Sequence, residues 1–113
     1  MAMYNPPHPG EFIQEVYLEP LGISPRSVAL RLKVSPSTFI RILKGQSSIS
    51  PAMALRLSKC LGRSPESWLH MQDSYNLWHA KQKVDLSEVD PIQLSARLYK
   101  ELTKPGVPGG GQG

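Results

Sequence analysis

Within ten residues of one another, Ser35, Ser37, Thr38, Arg41 and Lys44 supply three hydroxyls, a guanidinium and an ammonium. None of these groups makes or breaks bonds unaided; together they offer hydrogen bonds and positive charge to an anion. The planar fork of arginine matches two adjacent acceptors such as those on the major-groove edge of guanine, and hydroxyls reach base edges as donor or acceptor. Acid–base chemistry has less to recommend it. His70 precedes Asp73 by three positions and shares a helix face with it, but no nucleophile, second base or glycine-rich phosphate loop accompanies the pair. We assign no catalytic residue and expect no enzyme. Cys60 is the lone cysteine, and His8, His70 and His79 fall at spacings that match no Cys/His zinc pattern, so neither a disulfide, a metal site nor another cofactor is expected.

Charge is distributed unevenly along the 113 residues. Residues 24–63 carry Arg26, Arg31, Lys33, Arg41, Lys44, Arg56, Lys59 and Arg63 without one Asp or Glu, while both flanks are net acidic, which leaves the chain at +4. A block of cations that cannot neutralise itself suits a polyanionic partner, although a basic face can also be merely solvated. No apolar run approaches the roughly 20 residues a membrane helix requires, and the first ten residues lack a basic-then-apolar signal region, so a cytoplasmic protein without a membrane partner is expected.

The elements that must carry these groups are marked by punctuation. Ser-Pro recurs at Ser24-Pro25, Ser35-Pro36, Ser50-Pro51 and Ser64-Pro65. Serine caps a helix by accepting a free amide of the first turn, and proline suits the next position because the N–H it lacks would be unpaired there. Gly22, Gly45 and Gly62 close apolar-periodic runs, as left-handed C-terminal glycines do. The spacing predicts helices near 9–18, over 25–32, 36–44 and 51–61, and from 65 to about 81. Their inward residues are Phe12, Ile13, Val16 and Tyr17, opposite Glu11, Glu15 and Glu19; then Val28, Ala29 and Leu32; then Phe39, Ile42 and Leu43; then Met53, Ala54, Leu57, Cys60 and Leu61. The expected fold is all-α, a compact five-helix bundle in residues 1–83. A C-terminal extension follows over 84–104, with a short extended piece at Val84-Asp85-Leu86 and a helix after Asp90-Pro91 carrying Leu94, Leu98 and Leu102. Residues 105–113, rich in Gly and Pro, are expected to be a disordered tail.

Only about three residues, Lys33-Val34-Ser35, join the second and third helices, which forces the sharp crossing of a helix-turn-helix. Ala29 then sits at the closest approach and Val34 plugs the turn. Burial of Phe39, Ile42 and Leu43 exposes the opposite stripe, and a helix of this kind fits the major groove of double-stranded DNA. Ser35, Ser37, Thr38 and Arg41 are the candidate base contacts, with Pro36, Ile40 and the Thr38 methyl available to thymine methyl groups. Ser27, Arg31, Lys44, Gln46 and Ser47 are the candidate backbone contacts: the loop Gly45-Gln46-Ser47-Ser48 offers amides and hydroxyls, and the helix N-termini at Ser24 and Ser35 add partial positive charge.

The run from Val34 through Phe39, Arg41 and Leu43 to Gly45 resembles the recognition helix of the XRE/Cro-type repressors, which implies a lambda-repressor-like bundle. Glycine is usual in that family where Lys33 stands, and lysine in a left-handed turn costs roughly 1 kcal/mol relative to it. The opening Pro7-His8-Pro9-Gly10-Glu11-Phe12-Ile13, the stretch Tyr17 to Ser24, Pro51 to Ser58, and Ser64-Pro65-Glu66-Ser67-Trp68-Leu69-His70-Met71-Gln72 are similar to the HigA (VapI-like) antitoxin subgroup, over about residues 6–80. The resemblance implies a dimeric repressor of a palindromic operator that pairs with a HigB-type ribonuclease toxin. The partner rests on resemblance, with Glu11, Glu15 and Glu19 as an acidic face that could meet a basic ribonuclease. A solitary regulator without a toxin, or a protein-interaction module, are the other classes compatible with the residues.

Homodimerisation has separate support. Trp68, Met71, Gln72, Tyr75, Trp78 and His79 recur at spacings of three and four on the last long helix. Trp68 is expected in the core, and Met71, Tyr75 and Trp78 at an interface about a two-fold axis that would set two recognition helices roughly 34 Å apart, one turn of DNA.

Overall fold

The computed structural model describes residues 5–92 and 96–103. Six helices and no strand occur among them: α1, which runs continuously from Pro9–Ile13 through Gln14–Leu18 to Glu19–Leu21; α2, Pro25–Leu32; α3, Pro36–Leu43; α4, Pro51–Leu61; α5, Pro65–Lys83; and α6, Ala96–Thr103. Each Ser-Pro pair starts a helix. Ser24, Ser35, Ser50 and Ser64 all hold extended backbone, and their Oγ atoms accept the amides of Ser27, Thr38, Met53 and Ser67 at 3.1, 3.2, 3.1 and 3.0 Å. These caps fix where four helices begin, at about 1 kcal/mol apiece.

α1 departs from the expected register. Its middle, Gln14–Leu18, is a π-helical turn in which the Glu19 amide donates to the Gln14 carbonyl, five residues back. Pro20 explains it: the ring has no N–H for the Val16 carbonyl and would press against it in a regular helix, so the wider turn relieves both. The wider turn brings Ile13 and Leu18 to one buried side and leaves Val16 46% exposed, against the expectation that it faces inward. The helix therefore continues across the proline to Leu21 and stops at Gly22, whose φ of 64° is the left-handed conformation glycine adopts freely.

The core holds Ile13, Leu18, Val28, Ala29, Leu32, Phe39, Ile42, Ile49, Met53, Ala54, Leu57 and Trp68. Leu43, Cys60 and Leu61 pack against it while half-buried. Trp68 is fully enclosed, its Nε1–H donating to the Gly62 carbonyl at 2.9 Å, with the rings of Phe12 and Tyr17 at 6.0 and 6.3 Å between centroids. Lys33 takes φ 63°, the left-handed turn between α2 and α3. The amide after it, Val34 N–H, closes α2 on the Ala29 carbonyl at 3.1 Å, and the Arg56 guanidinium caps the Leu32 carbonyl at 2.7 Å.

Beyond α5 the chain leaves the bundle. Residues 84–92 are exposed throughout; Val84 is extended, and Asp85 accepts the Ser87 amide at 3.0 Å at the turn that follows. A helix does follow, described over Ala96–Thr103, and Pro91 and Ile92 are not part of it; of the leucine stripe, Leu102 is exposed and Leu94 lies outside the described residues, as does the tail from Lys104.

The first turn of α1 meets α3 backbone to backbone. A Cβ on Gly10 would collide with the Ile42 carbonyl oxygen and come within 2.7 Å of Leu43 Cα. Gly10→Ala is therefore expected to lower unfolding free energy by about 1–3 kcal/mol or more, because neither backbone can yield without tilting α3. Urea denaturation followed by far-ultraviolet circular dichroism checks this; an unchanged midpoint would contradict the contact.

Candidate nucleic-acid interface

α3 is divided lengthwise by its seating. Phe39 and Ile42 are buried, at roughly 1.5–3 kcal/mol each, and Leu43 is half-buried beside them. Ser35, Ser37, Thr38, Arg41 and Lys44 are all exposed, and Pro36 and Ile40 half-buried at the margin. The structure thus brings the four candidate base-contact residues together on one outward face. Their hydroxyls are linked: Ser35 Oγ, besides accepting the Thr38 amide, donates to Thr38 Oγ1 at 2.8 Å and lies 3.3 Å from Ser37 Oγ. Capping thus occupies Ser35, whereas Ser37 and Thr38 keep hydrogen-bonding capacity for a ligand.

The candidate backbone contacts flank this face. Ser27 is half-buried and Arg31 exposed on α2; with Ser24 they line one open groove. Lys44 and Gln46 are exposed and Ser47 half-buried in the loop after α3, where the Gly45 and Gln46 amides close the helix on the Ile42 and Arg41 carbonyls at 3.0 and 2.8 Å. Of the eight cations in residues 24–63, Arg56 is committed to the Leu32 carbonyl, and Arg63 lies over the rings of Phe12 and Trp68 at 5.1 and 5.7 Å. None of the eight is in a salt bridge among the described residues, so their charge is available to an outside anion.

On α5 the aromatic series splits. Trp68 and Gln72 are buried, while Met71, Tyr75, Trp78 and His79 are half-buried and Leu77 is 57% exposed. Met71 packs on the core from its edge. Tyr75 lies edge-on to His8 with centroids 4.9 Å apart and 4.3 Å from His79, which in turn lies 5.1 Å from Trp78. Sequence spacing alone did not single out Leu77, because it falls outside the series from Trp68 to His79 that recurs at three and four.

Two residues that support the interface have no structural role assigned by the sequence, although both stand in the stretches similar to the HigA subgroup. His8 is 5% exposed, caps α1 by accepting the Gly10 amide on Nδ1 at 2.9 Å, and lies against the loop after α3. Gln72, which falls in the series of the dimer candidates, accepts the Ile49 amide at 2.9 Å. The Ser/Thr/Asp/Asn preference at N-caps hides a histidine cap, and a buried glutamine leaves no mark in periodicity. Among the described residues no three His, Cys, Asp or Glu side chains gather closely enough to hold a metal ion, and no helix is long and apolar enough to cross a membrane.

A short-linked helix pair inside a five-helix bundle, with its second helix presenting a polar and cationic side, defines the helix-turn-helix class of DNA-binding domains. The helix-turn-helix family model HTH_3 matches residues 15–68. The chain is 40% identical over 89 residues to the uncharacterized HTH-type transcriptional regulator YddM of Escherichia coli (strain K12), covering 79% of this chain and 94% of that one. Virulence-associated protein I of Dichelobacter nodosus is 41% identical over 91 residues, 80% of this chain and 84% of its own. The solved structure of the Pseudomonas aeruginosa antitoxin HigA with the higBA promoter is 33% identical, covers 78% of this chain and 99% of that chain, and superposes with a TM-score of 0.68. The chain belongs to the XRE/Cro-type helix-turn-helix repressor family, in its HigA (VapI-like) antitoxin branch.

Burial lowers the pKa of His8 from the ordinary imidazole value of 6.5, and a backbone hydrogen bond with Ser47 opposes this in part. The neutral ring is the form that can accept the Gly10 amide. Stability contributed by His8 is accordingly complete above pH 6.5 and declines as pH falls below that value toward the lowered pKa of the folded state. Chemical denaturation at a series of pH values, with His8→Asn as reference, is expected to show this decline in the parent and its loss in the variant; identical profiles would mean that His8 titrates as freely as in the unfolded chain.

Proposed function

We propose that the chain is a sequence-specific transcriptional repressor that binds double-stranded DNA as a homodimer, with α3 in the major groove, and that it is the antitoxin of a HigB–HigA type pair. The division of α3 into a buried Phe39–Ile42 side and an exposed Ser37–Thr38–Arg41–Lys44 side carries this reading. Arg41 is the base reader, since its guanidinium forms no salt bridge among the described residues and the acceptors of guanine match its fork. Ser27, Arg31, Lys44, Gln46 and Ser47 hold the phosphates on either side. The antitoxin assignment is supported by the membership of the HigA branch and by the promoter-bound relative; the exposed Glu11, Glu15 and Glu19 suit a basic ribonuclease partner. A solitary regulator is the second reading, favoured by YddM, which is described only as a transcriptional regulator.

The half-buried Met71, Tyr75 and Trp78 along α5 form the two-fold interface, because a 19-residue helix about 28 Å long outreaches the bundle that covers its first turns. Two recognition helices one helical turn of DNA apart then read an inverted repeat.

A mobility shift with the gene's own upstream region, with and without the product of the adjacent reading frame, tests both parts: retardation by the chain alone supports the repressor, and a further shift or release by the neighbour supports the toxin pair. Affinity should fall steeply with salt, and Arg41→Ala should cost about 1–3 kcal/mol on that duplex while relaxing discrimination at one base pair. Equal losses on random DNA would make Arg41 a phosphate contact. Trp78→Ala is expected to move sedimentation toward the monomer, and an unaltered dimer would remove α5 from the interface.

A further inference from the structure

Half of the cationic block gathers away from the outward face of α3, in an open cleft between α2 and α4. Arg31 and Lys33 line it from the end of α2 and the turn that follows, and Arg56 and Lys59 line it from α4, beside Leu55 and Cys60. No Asp or Glu lines the cleft, all four cations are exposed, and none is in a salt bridge among the described residues. Arg56 gives one donor to the Leu32 carbonyl at 2.7 Å, which ties α4 to the turn and leaves the rest of its guanidinium for an outside acceptor. Lys33 holds a φ of 63°, a conformation that glycine takes at less cost, so what lysine adds at this position is its side chain. Four like charges around one cleft repel one another, and a polyanion laid across them relieves that repulsion.

The two ends of α3 differ in their surroundings. Its trailing end is tied to α5: the loop after it gives the Ile49 amide to Gln72 and sets Gly45 against His8, whose ring meets Tyr75. Its leading end adjoins the cleft, since Lys33 stands two residues before the Ser35 cap. With α5 at the two-fold axis, the trailing end of each α3 faces the partner and the leading end faces outward along the duplex. Lys59 is remote from the axis as well. It precedes the Gly62 stop and the first turn of α5, whereas Tyr75 and Trp78 lie further along that helix.

We propose that the α2–α4 cleft is a second DNA-binding surface, which holds phosphates of the duplex outside the inverted repeat. As α3 enters the major groove of each half-site, Lys33, Arg56 and Lys59 meet the backbone of the flanking DNA, and the operator is longer than the bases that are read. This rests on the DNA-binding and two-fold readings and adds three contacts beyond Arg31. Cations on phosphates position a protein without distinguishing bases, so the flank contributes affinity whatever its sequence.

The double variant Lys33→Gly, Lys59→Gln removes two exposed charges and leaves Arg56 to its cap. Glycine suits the left-handed turn, so the variant is expected to melt close to the parent, which circular dichroism checks. Both full-length chains are titrated from roughly 50 to 200 mM salt against two labelled duplexes from the gene's upstream region. One is trimmed to the inverted repeat, and the other carries about ten further base pairs of unrelated sequence at each end, one more helical turn. The variant is expected to match the parent on the trimmed duplex. On the extended duplex it is expected to bind about tenfold more weakly, with a log–log salt slope shallower by about four, near one for each lysine of the dimer. A variant that loses affinity equally on both duplexes, or on neither, overturns the assignment while leaving DNA binding intact. A parent without salt-dependent affinity for either duplex would instead remove the DNA-binding reading, and this assignment with it.

Discussion

The backbone contact between α1 and α3 is the constraint from which the rest of the interface follows. A recognition helix of eight residues has too few turns to be stable alone and must be held rigidly to present its side chains in register. Phe39 and Ile42 hold it through side chains, which fixes its rotation about its own axis. Gly10, pressed on Ile42 and Leu43, fixes the height of its C-terminal end above the core. With rotation and height both set, Ser37, Thr38 and Arg41 have one direction in which to point, and the loop that leaves α3 starts from a defined place.

The three residues His8-Pro9-Gly10 then act as one unit. Pro9 sets the first helical φ without leaving an unpaired amide, Gly10 admits the close approach, and His8 satisfies the Gly10 amide while its ring covers Gly45. A smaller cap such as serine would satisfy that amide equally well and leave the floor of the loop uncovered. One buried side chain thus serves both places, the start of α1 by a hydrogen bond and the end of α3 by packing.

Much of this was legible in the sequence because it is written in local rules. The four Ser-Pro caps depend on neighbouring residues alone, and so does the left-handed position at Gly22, whereas that at Lys33 was legible only through the family resemblance. The outward face of α3 followed from the periodicity of Phe39 and Ile42. Val16 defied the same periodicity because Pro20, four residues later, widens the intervening turn, a defect that a fixed helical repeat cannot express. Gly10, His8 and Gln72 were harder still. Their roles are contacts with residues 23 to 37 positions away, from Gln72 to Ile49 and from His8 to Gly45, and nothing near each one in the chain announces its partner.

Both long-range contacts end on the segment between α3 and α4, and they come from opposite sides of it. His8 belongs to the lead into α1, and Gln72 to α5, where Tyr75 also touches the His8 ring. The helix proposed for dimerisation and the loop proposed for phosphate contact therefore share two side chains rather than standing apart. Gln72 reaches Ile49 directly, and Tyr75 reaches Gly45 through the His8 ring. If the protein pairs through α5 as proposed, the docked helix and the loop after α3 are therefore connected in each protomer through the hydrogen bond between Gln72 and Ile49.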